Sequence, residues 1–180
     1  MKRIICFLVL ILSVISFVSC SEEDLRERYR EKVEKFSFSE THTGKGSLAF
    51  TIDGTKVYQN TSVLWWGGRQ ISYYRKLTEK DQIEIFSLLN NNIFYSIRFV
   101  FPSEELKADA TIHPDVELKY FSEGNNLQYV IVYDAIINIT YCENDIISGR
   151  FTLEGEYADS SGKVHIVDVT DGIFDLKRKG

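Results

Sequence analysis

Apolar and polar side chains alternate along most of this sequence after Gly44. The pattern is clearest over residues 147–156, where every second residue is apolar or glycine and the residues between them are polar or charged. A repeat of two places alternate side chains on opposite faces of a β-strand. The pattern therefore predicts antiparallel strands that bury one face and expose the other.

Turn sequences separate about ten such segments. Glycine, asparagine and aspartate favour the left-handed backbone that tight hairpin turns require. Turns are predicted at Asp53-Gly54, Gly67-Gly68, Asn90-Asn91-Asn92, Glu143-Asn144-Asp145 and Asp171-Gly172, and over residues 123–126 and 159–162. Residues 127–133 and 135–142 are predicted as two separate strands, and residues 173–177 as a final strand after the last turn.

One irregular stretch interrupts the alternation. Pro102 and Pro114 stand at its two ends, and residues 103–115 are predicted to form a surface loop with one helical turn. The chain is predicted to be all-β, as an antiparallel β-sandwich or a closed meander barrel of about ten strands. Sequential hairpins favour the barrel, whereas the irregular stretch could carry the chain between the two sheets of a sandwich.

The first twenty residues follow a different pattern. Lys2 and Arg3 precede an apolar run over residues 4–18, and Ser19 stands directly before Cys20. The run is shorter than the roughly 20 residues of a membrane-spanning helix. Residues 1–19 are therefore predicted to be a secretory signal peptide. Because the predicted cleavage site precedes a cysteine, residues 17–20 resemble the lipobox of bacterial lipoproteins, which implies acylation of Cys20.

Residues 20–43 are predicted to be a charged spacer between the lipid anchor and a single β domain over residues 44–180. Oppositely charged residues recur four apart in the spacer, as Glu22 and Arg26 do, and such pairs are neighbours on a helix. One interpretation is a solvated stalk, helical or frayed. In another, Ser21-Glu22-Glu23-Asp24 resembles the acidic tag that sends lipoproteins of Bacteroidetes-type bacteria to the cell surface.

Composition narrows the choice of partners. Hydrophobic residues at 44% and aromatic residues at 13% are typical of a packed domain. The formal net charge of −5 becomes −7 once Lys2 and Arg3 leave with the signal peptide, so nucleic acid is not an expected partner. Loss of Cys6 and acylation of Cys20 would leave Cys142 without a disulfide partner in its own chain.

Three segments together carry a family resemblance. Residues 44–54, 147–151 and 170–176 follow the lipobox and the charged spacer in an order that is similar to small β-rich lipoproteins of Bacteroidetes-type bacteria. Those families are largely of unknown function. The resemblance implies a lipid anchor in the outer membrane, with the domain facing the cell surface, and it implies no catalytic residues.

Sequence motifs for catalysis or metal binding are weak throughout. Gly44-Lys45-Gly46-Ser47-Leu48-Ala49 has the spacing of a dinucleotide-binding loop, but a strand pattern follows it instead of a helix. His42, His113 and His165 lack the close spacing of zinc ligands, and no histidine lies near Cys142 to activate its thiol. No cofactor and no metal are predicted.

A cluster of aromatic residues is the best candidate for ligand binding. Trp65-Trp66 precedes a glycine pair, and Tyr73-Tyr74 follows in the next predicted strand. Because neighbours in a strand point to opposite faces, one member of each pair should enter the core and the other should face outward. Trp65, Trp66, Tyr73 and Tyr74 are therefore candidate ligand-binding residues for the apolar face of a sugar or for a protein.

Three functions are consistent with the sequence. The preferred hypothesis is a non-catalytic surface lipoprotein that binds glycan or protein ligands. A second hypothesis is a lipid-anchored hydrolase of envelope or dietary polymers, because Glu154 and Glu156 share one strand face at about 6 to 7 Å, a spacing that glycosidases use. A third is a barrel that carries a small apolar ligand in its interior.

Overall fold

A computed structural model describes residues 37, 39–60, 71–91, 93–122 and 126–179. All of them belong to one compact unit, Ser37–Gly180. The predicted signal peptide, Cys20 and most of the predicted charged spacer lie outside the described residues. The same is true of Trp65 and Trp66.

The described part of the chain is built from antiparallel strands. These are β1 (Ser47–Ile52), β2 (Thr55–Asn60), β3 (Ile71–Leu77), β4 (Gln82–Asn91), β5 (Ile93–Pro102), β6 (Thr111–Ile112), β7 (Asp115–Ser122), β8 (Asn126–Glu143), β9 (Ile146–Ala158) and β10 (Val164–Lys177). One 3-10 turn, Ser103–Glu105, lies in the predicted irregular loop. The predicted all-β class is confirmed, as is the helical turn.

One sheet contains all of these strands and forms a half-barrel. Its order is β2-β1-β10-β9-β8-β7-β5-β4-β3, and β6 pairs with β8 beside this path. Most neighbours in the sheet are also neighbours along the chain, as the predicted meander requires. The exceptions are the β5–β7 and β6–β8 pairs, each of which skips one strand, and β1, which pairs with the last strand, β10, so the two ends of the domain meet in the sheet.

Two tight turns have the predicted chemistry. Asp53 and Gly54 connect β1 to β2 with φ values of 48° and 76°. Asn144 and Asp145 connect β8 to β9 with φ values of 52° and 59°. Positive φ at both central residues matches the right-handed twist of the flanking strands. These residues therefore fix the hairpin register that the sequence predicts.

Two sequence predictions were wrong, because β-bulges replace the expected strand breaks. Asp171-Gly172 is not a turn: β10 continues through it, and the pairing with β9 shifts register between Val169 and Gly172. Likewise, residues 127–133 and 135–142 belong to the single strand β8, which has a register shift between Val132 and Asp134. Turn residues also suit bulges, because both need unusual backbone conformations.

The inner face of the half-barrel holds the core. Phe50, Phe99 and Phe151 are fully buried there, with ring centroids 5.0 Å apart for Phe99 and Phe151 and 6.0 Å apart for Phe50 and Phe151. Gly172 lies directly against this cluster, since a Cβ atom at that position would stand 2.4 Å from the Phe151 carbonyl oxygen. The bulge in β10 thus brings backbone close to the aromatic core.

Candidate functional site

The outer face of β8 and β10 exposes large apolar side chains. In the described part of the chain they are Leu127, Tyr129, Ile131, Tyr133, Val164 and Ile166, and we call them the outer patch. Ile131 is 68% exposed and Ile166 is 63% exposed. A cluster of exposed apolar side chains of this kind is typical of a surface that contacts another molecule.

Sheet register brings the two halves of the outer patch together. Glu156 on β9 pairs with Ile131 on one side and with Ile166 on the other, so the three form one cross-strand row. At the β8 bulge, Tyr133 and Asp134 are both exposed although they are consecutive. The bulge therefore adds a tyrosine to the exposed surface where strict alternation would turn one of the two residues inward.

A row of carboxylates borders the outer patch. Glu154 on β9 pairs with Asp134 on β8 and with Asp168 on β10, and all three side chains are exposed. Like charges directly opposite one another destabilise a sheet. Within the described ranges, none of the three forms an ion pair, and no group of three acidic, histidine or cysteine side chains is arranged to hold a metal ion.

The other end of the same face is covered by the chain itself. Residues 40–46, which we call the N-terminal strap, lie against β8, β9 and β10. Glu40 forms an ion pair with Arg150, and the His42 ring stacks on Tyr141 with centroids 4.7 Å apart. Asp175, only 2% exposed, binds the middle of the strap. The last residues of the predicted spacer are thus part of the folded domain.

The Asp175 carboxylate accepts five hydrogen bonds from the described residues. Thr43 donates its backbone N–H at 2.9 Å and its hydroxyl at 2.7 Å, and the Gly44 N–H donates at 2.7 Å. The Thr41 and Ser148 hydroxyls donate the other two. Burial acts to raise the pKa of Asp175, but the hydrogen bonds from the strap outweigh it and hold that pKa below its ordinary value.

A second cluster lies on the outer face of β3, β4 and β5. Glu84 is 3% exposed and accepts hydrogen bonds from Arg75 Nε at 2.5 Å and from Arg98 Nε at 2.6 Å. Burial acts to raise the pKa of Glu84, but the two arginines outweigh burial and hold that pKa below its ordinary value. The carboxylate therefore stays ionised. Beside them, the rings of Tyr73 and Phe86 pack with centroids 5.5 Å apart.

Tyr73 and Tyr74 occupy opposite faces of the sheet, as alternation predicts. Tyr74 is buried, and burial raises its pKa to about 12. Tyr73 is half-buried on the outer face, with Lys179 Nζ 4.6 Å from its ring centroid. Of the four predicted ligand-binding residues, only Tyr73 is described on a surface. Trp65 and Trp66 lie outside the described residues.

The remaining sequence candidates each have their own partners among the described residues. His165 hydrogen-bonds to Asp159 at 2.8 Å and stacks on Tyr157, while His42 packs against Tyr141 at the strap. Cys142 is half-buried near the end of β8, where burial raises the pKa of its thiol and so lowers its reactivity.

Sequence reasoning missed both the carboxylate row and the Arg75–Glu84–Arg98 cluster. The pairing of Asp134 with Glu154 follows the register shift between Ile139 and Tyr141 in β8, which changes which residues lie opposite one another. Glu84 falls on the outward positions of an alternating strand, so its burial follows only from the arginines that cover it. The sequence offered one signal for this cluster. Arg75 and Glu84 are a cation and an anion at outward positions of two consecutive predicted strands.

Two further findings concern membrane spans and similarity to known proteins. In the part of the chain that the structure describes, no helix has the length and apolar character of a membrane span. Comparisons of this chain with protein-family models, with curated proteins and with solved structures found no match, so its function is inferred from its own residues.

Proposed function

We propose that this chain is a lipid-anchored binding module of the cell surface whose outer patch contacts a protein partner. The exposed apolar side chains of β8 and β10 carry the proposal, because they lie together on a rigid, paired sheet. Interfaces typically surround an apolar centre with a polar rim. Here the rim is acidic along one side, where Asp134, Glu154 and Asp168 lie, while Lys119 Nζ is 5.1 Å from the Tyr129 ring centroid on the β7 side.

The charge of the rim selects the kind of partner. Complementary charges speed association and exclude partners of the same sign. A partner that presents lysine or arginine next to apolar side chains would relieve the repulsion among the three carboxylates and cover Ile131 and Ile166 together. The proposed ligand is therefore a basic, partly apolar protein surface.

Attachment to the membrane belongs to the same proposal. The signal peptide over residues 1–19 and the lipobox at Cys20 support a lipid anchor in the outer membrane, and the Ser21-Glu22-Glu23-Asp24 tag supports display outside the cell. The N-terminal strap then joins the spacer to the folded domain through Asp175 and Arg150. Through the strap, the chain that leads to the anchor ends on the same face as the outer patch.

We also propose that the half-barrel closes, which is the finer form of the predicted barrel. Tyr74 in β3 forms a parallel bridge with Arg178, and the Lys179 N–H donates to the Tyr74 carbonyl oxygen at 2.8 Å. These contacts bring the edge strand β3 to the chain end that follows β10. Because Phe50, Phe99 and Phe151 fill the inner face, a filled interior is favoured over a cavity for an apolar ligand.

The hydrolase hypothesis receives less support from the side chains. A general acid in glycoside hydrolysis needs a carboxyl group whose pKa is raised, usually by burial. Glu154 is exposed and Glu156 is half-exposed on an open sheet face. Binding without catalysis therefore remains the preferred proposal.

Binding to a short peptide tests the outer patch. We expect a synthetic peptide of four leucines and four lysines to bind at least tenfold more tightly than its counterpart with glutamates in place of lysines. Substituting both Ile131 and Ile166 with aspartate should weaken binding of the lysine peptide at least tenfold, because it removes the apolar centre of the patch. Fluorescence anisotropy at 0.1 M salt measures both effects.

A matched pair of charge variants serves as the control. Glu154→Gln should weaken binding of the lysine peptide about threefold, in line with a rim charge. Glu104→Gln removes the same charge from the exposed 3-10 turn and should leave the affinity unchanged. Equal affinity for the two peptides, or equal loss in the two glutamine variants, would contradict the proposal.

A further inference from the structure

The Arg75–Glu84–Arg98 cluster has hydrogen-bonding capacity that none of the described residues uses. Each arginine donates its Nε–H to a different oxygen of the Glu84 carboxylate. Nε donation occupies one edge of each guanidinium, and within the described residues neither arginine donates a hydrogen bond from an Nη group. The nearest acidic contact described for them is Arg98 Nη1 to a Glu117 carboxylate oxygen at 3.8 Å, which is too long for a hydrogen bond.

Both arginines are accessible, although the carboxylate that holds them is not. The side chain of Arg75 is 44% exposed and that of Arg98 is 37% exposed, against 4% for Glu84. A buried anion thus holds two cations side by side at the surface. Because Glu84 already holds the two arginine side chains in place, a ligand that binds them orders fewer rotamers and loses less conformational entropy.

The surroundings make this region cationic on an acidic protein. Lys179 Nζ lies over the Tyr73 ring at 4.6 Å. On β7, the strand next to β5, Lys119 forms an ion pair with Glu117. Among the described residues, these four cations therefore accompany two carboxylates, Glu84 and Glu117, whereas the whole chain carries a formal charge of −5. The local excess of positive charge favours an anionic ligand.

We propose that Arg75 and Arg98, positioned by Glu84 beside the ring of Tyr73, form a binding site for a sugar that carries a carboxylate group. A guanidinium fork matches a carboxylate with two parallel hydrogen bonds. The half-buried rings of Tyr73 and Phe86 supply an apolar surface next to that charge, which suits the C–H face of a sugar ring. The site's own side chains lie on β3, β4 and β5, whereas those of the outer patch lie on β8 and β10, and the proposal does not depend on the proposed protein partner.

Titration calorimetry with tetragalacturonate tests the site, and a neutral galactose tetramer of equal length is the comparison ligand. We expect the acidic tetramer to bind at least tenfold more tightly. Arg75→Gln and Arg98→Gln should each lower its affinity at least tenfold. Arg75→Lys, which keeps the charge and loses the fork, should lower it by an intermediate factor.

Two controls separate a specific site from general attraction. Lys163→Gln removes one cation from the exposed hairpin between β9 and β10 and should leave the affinity unchanged. The paired aspartate substitutions at Ile131 and Ile166 should also leave it unchanged, so this proposal can fail independently of the outer patch. Thermal unfolding of each variant confirms that the domain is folded.

Three results would overturn the proposal. The first is equal affinity for the acidic and neutral tetramers. The second is an unchanged affinity for the acidic tetramer in folded Arg75→Gln and Arg98→Gln variants. The third is a loss of affinity in Lys163→Gln as large as the loss in the two arginine variants. The last result would mean that the acidic sugar responds only to net charge.

Discussion

Replacing Asp175 with asparagine is expected to lower the free energy of unfolding by about 3 kcal/mol. The two carboxylate oxygens accept from different backbone donors, Oδ2 from the Thr43 N–H and Oδ1 from the Gly44 N–H. An asparagine can offer an oxygen to only one of them. Whichever way its amide is turned, the NH2 group faces a second donor, so one part-buried N–H loses its partner.

The loss should depend on pH. Hydrogen bonds from the strap hold the pKa of Asp175 below its ordinary value of 3.8, against the opposing effect of burial. A carboxyl group with a lowered pKa in the folded state stabilises the fold fully above its unfolded pKa, and this contribution falls as the pH drops towards the folded pKa. The difference between wild type and Asp175→Asn should therefore be full at pH 7 and smaller at pH 3.

Urea denaturation at the two pH values measures both quantities. Asp109→Asn is the matched control, because Asp109 is exposed and has a φ of 60°, which asparagine adopts readily. The control should change stability by less than about 0.5 kcal/mol. If Asp175→Asn behaved like the control, the strap would not be held by this carboxylate.

Phe151→Ala is expected to lower the free energy of unfolding by about 3 to 5 kcal/mol. Phe151 is 1% exposed, its ring packs against Phe50 and Phe99, and its backbone lies under Gly172. Truncation would leave a cavity, because paired strands on both sides prevent the inner face from collapsing around a smaller side chain. Denaturant unfolding monitored by circular dichroism measures the loss.

The control for this prediction is an aromatic residue of the outer patch. Tyr133 is 58% exposed, so Tyr133→Ala should change stability by less than about 0.5 kcal/mol. A large loss at Tyr133 would mean that the outer patch serves to stabilise the fold and not to bind a partner. A small loss at Phe151 would mean that the inner face is not the core of the domain.

Much of the fold follows from local sequence, because strand alternation and turn chemistry are local effects. The Asp53-Gly54 and Asn144-Asp145 turns were predictable from residues that favour positive φ. The Asp171-Gly172 bulge was not, since the same residues suit a turn, and the neighbour that requires Gly172 is Phe151, twenty-one positions away in sequence. The pairing of β1 with β10 likewise joins segments that are distant in sequence.

The candidate sites were less predictable than the fold. Alternation placed Tyr73 and Tyr74 on opposite faces, and it placed Glu154 on the outer face. It could not place Asp134 and Asp168 beside Glu154, because that arrangement depends on the register of three strands, one of which, β8, shifts between Ile139 and Tyr141. The burial of Ser148 and Asp175 on the outer face depends on the strap, whose position no periodicity encodes.

The proposed function depends on one covalent feature of the chain, acylation of Cys20, which would hold the domain at the cell surface. Mass spectrometry of the N-terminal peptide, taken from protein purified from its native host, tests this feature directly. We predict that the mature chain begins at Cys20 and that its first residue carries the mass of a thioether-linked diacylglycerol. A chain that still begins at Met1, or a Cys20 with an unmodified thiol, would contradict it.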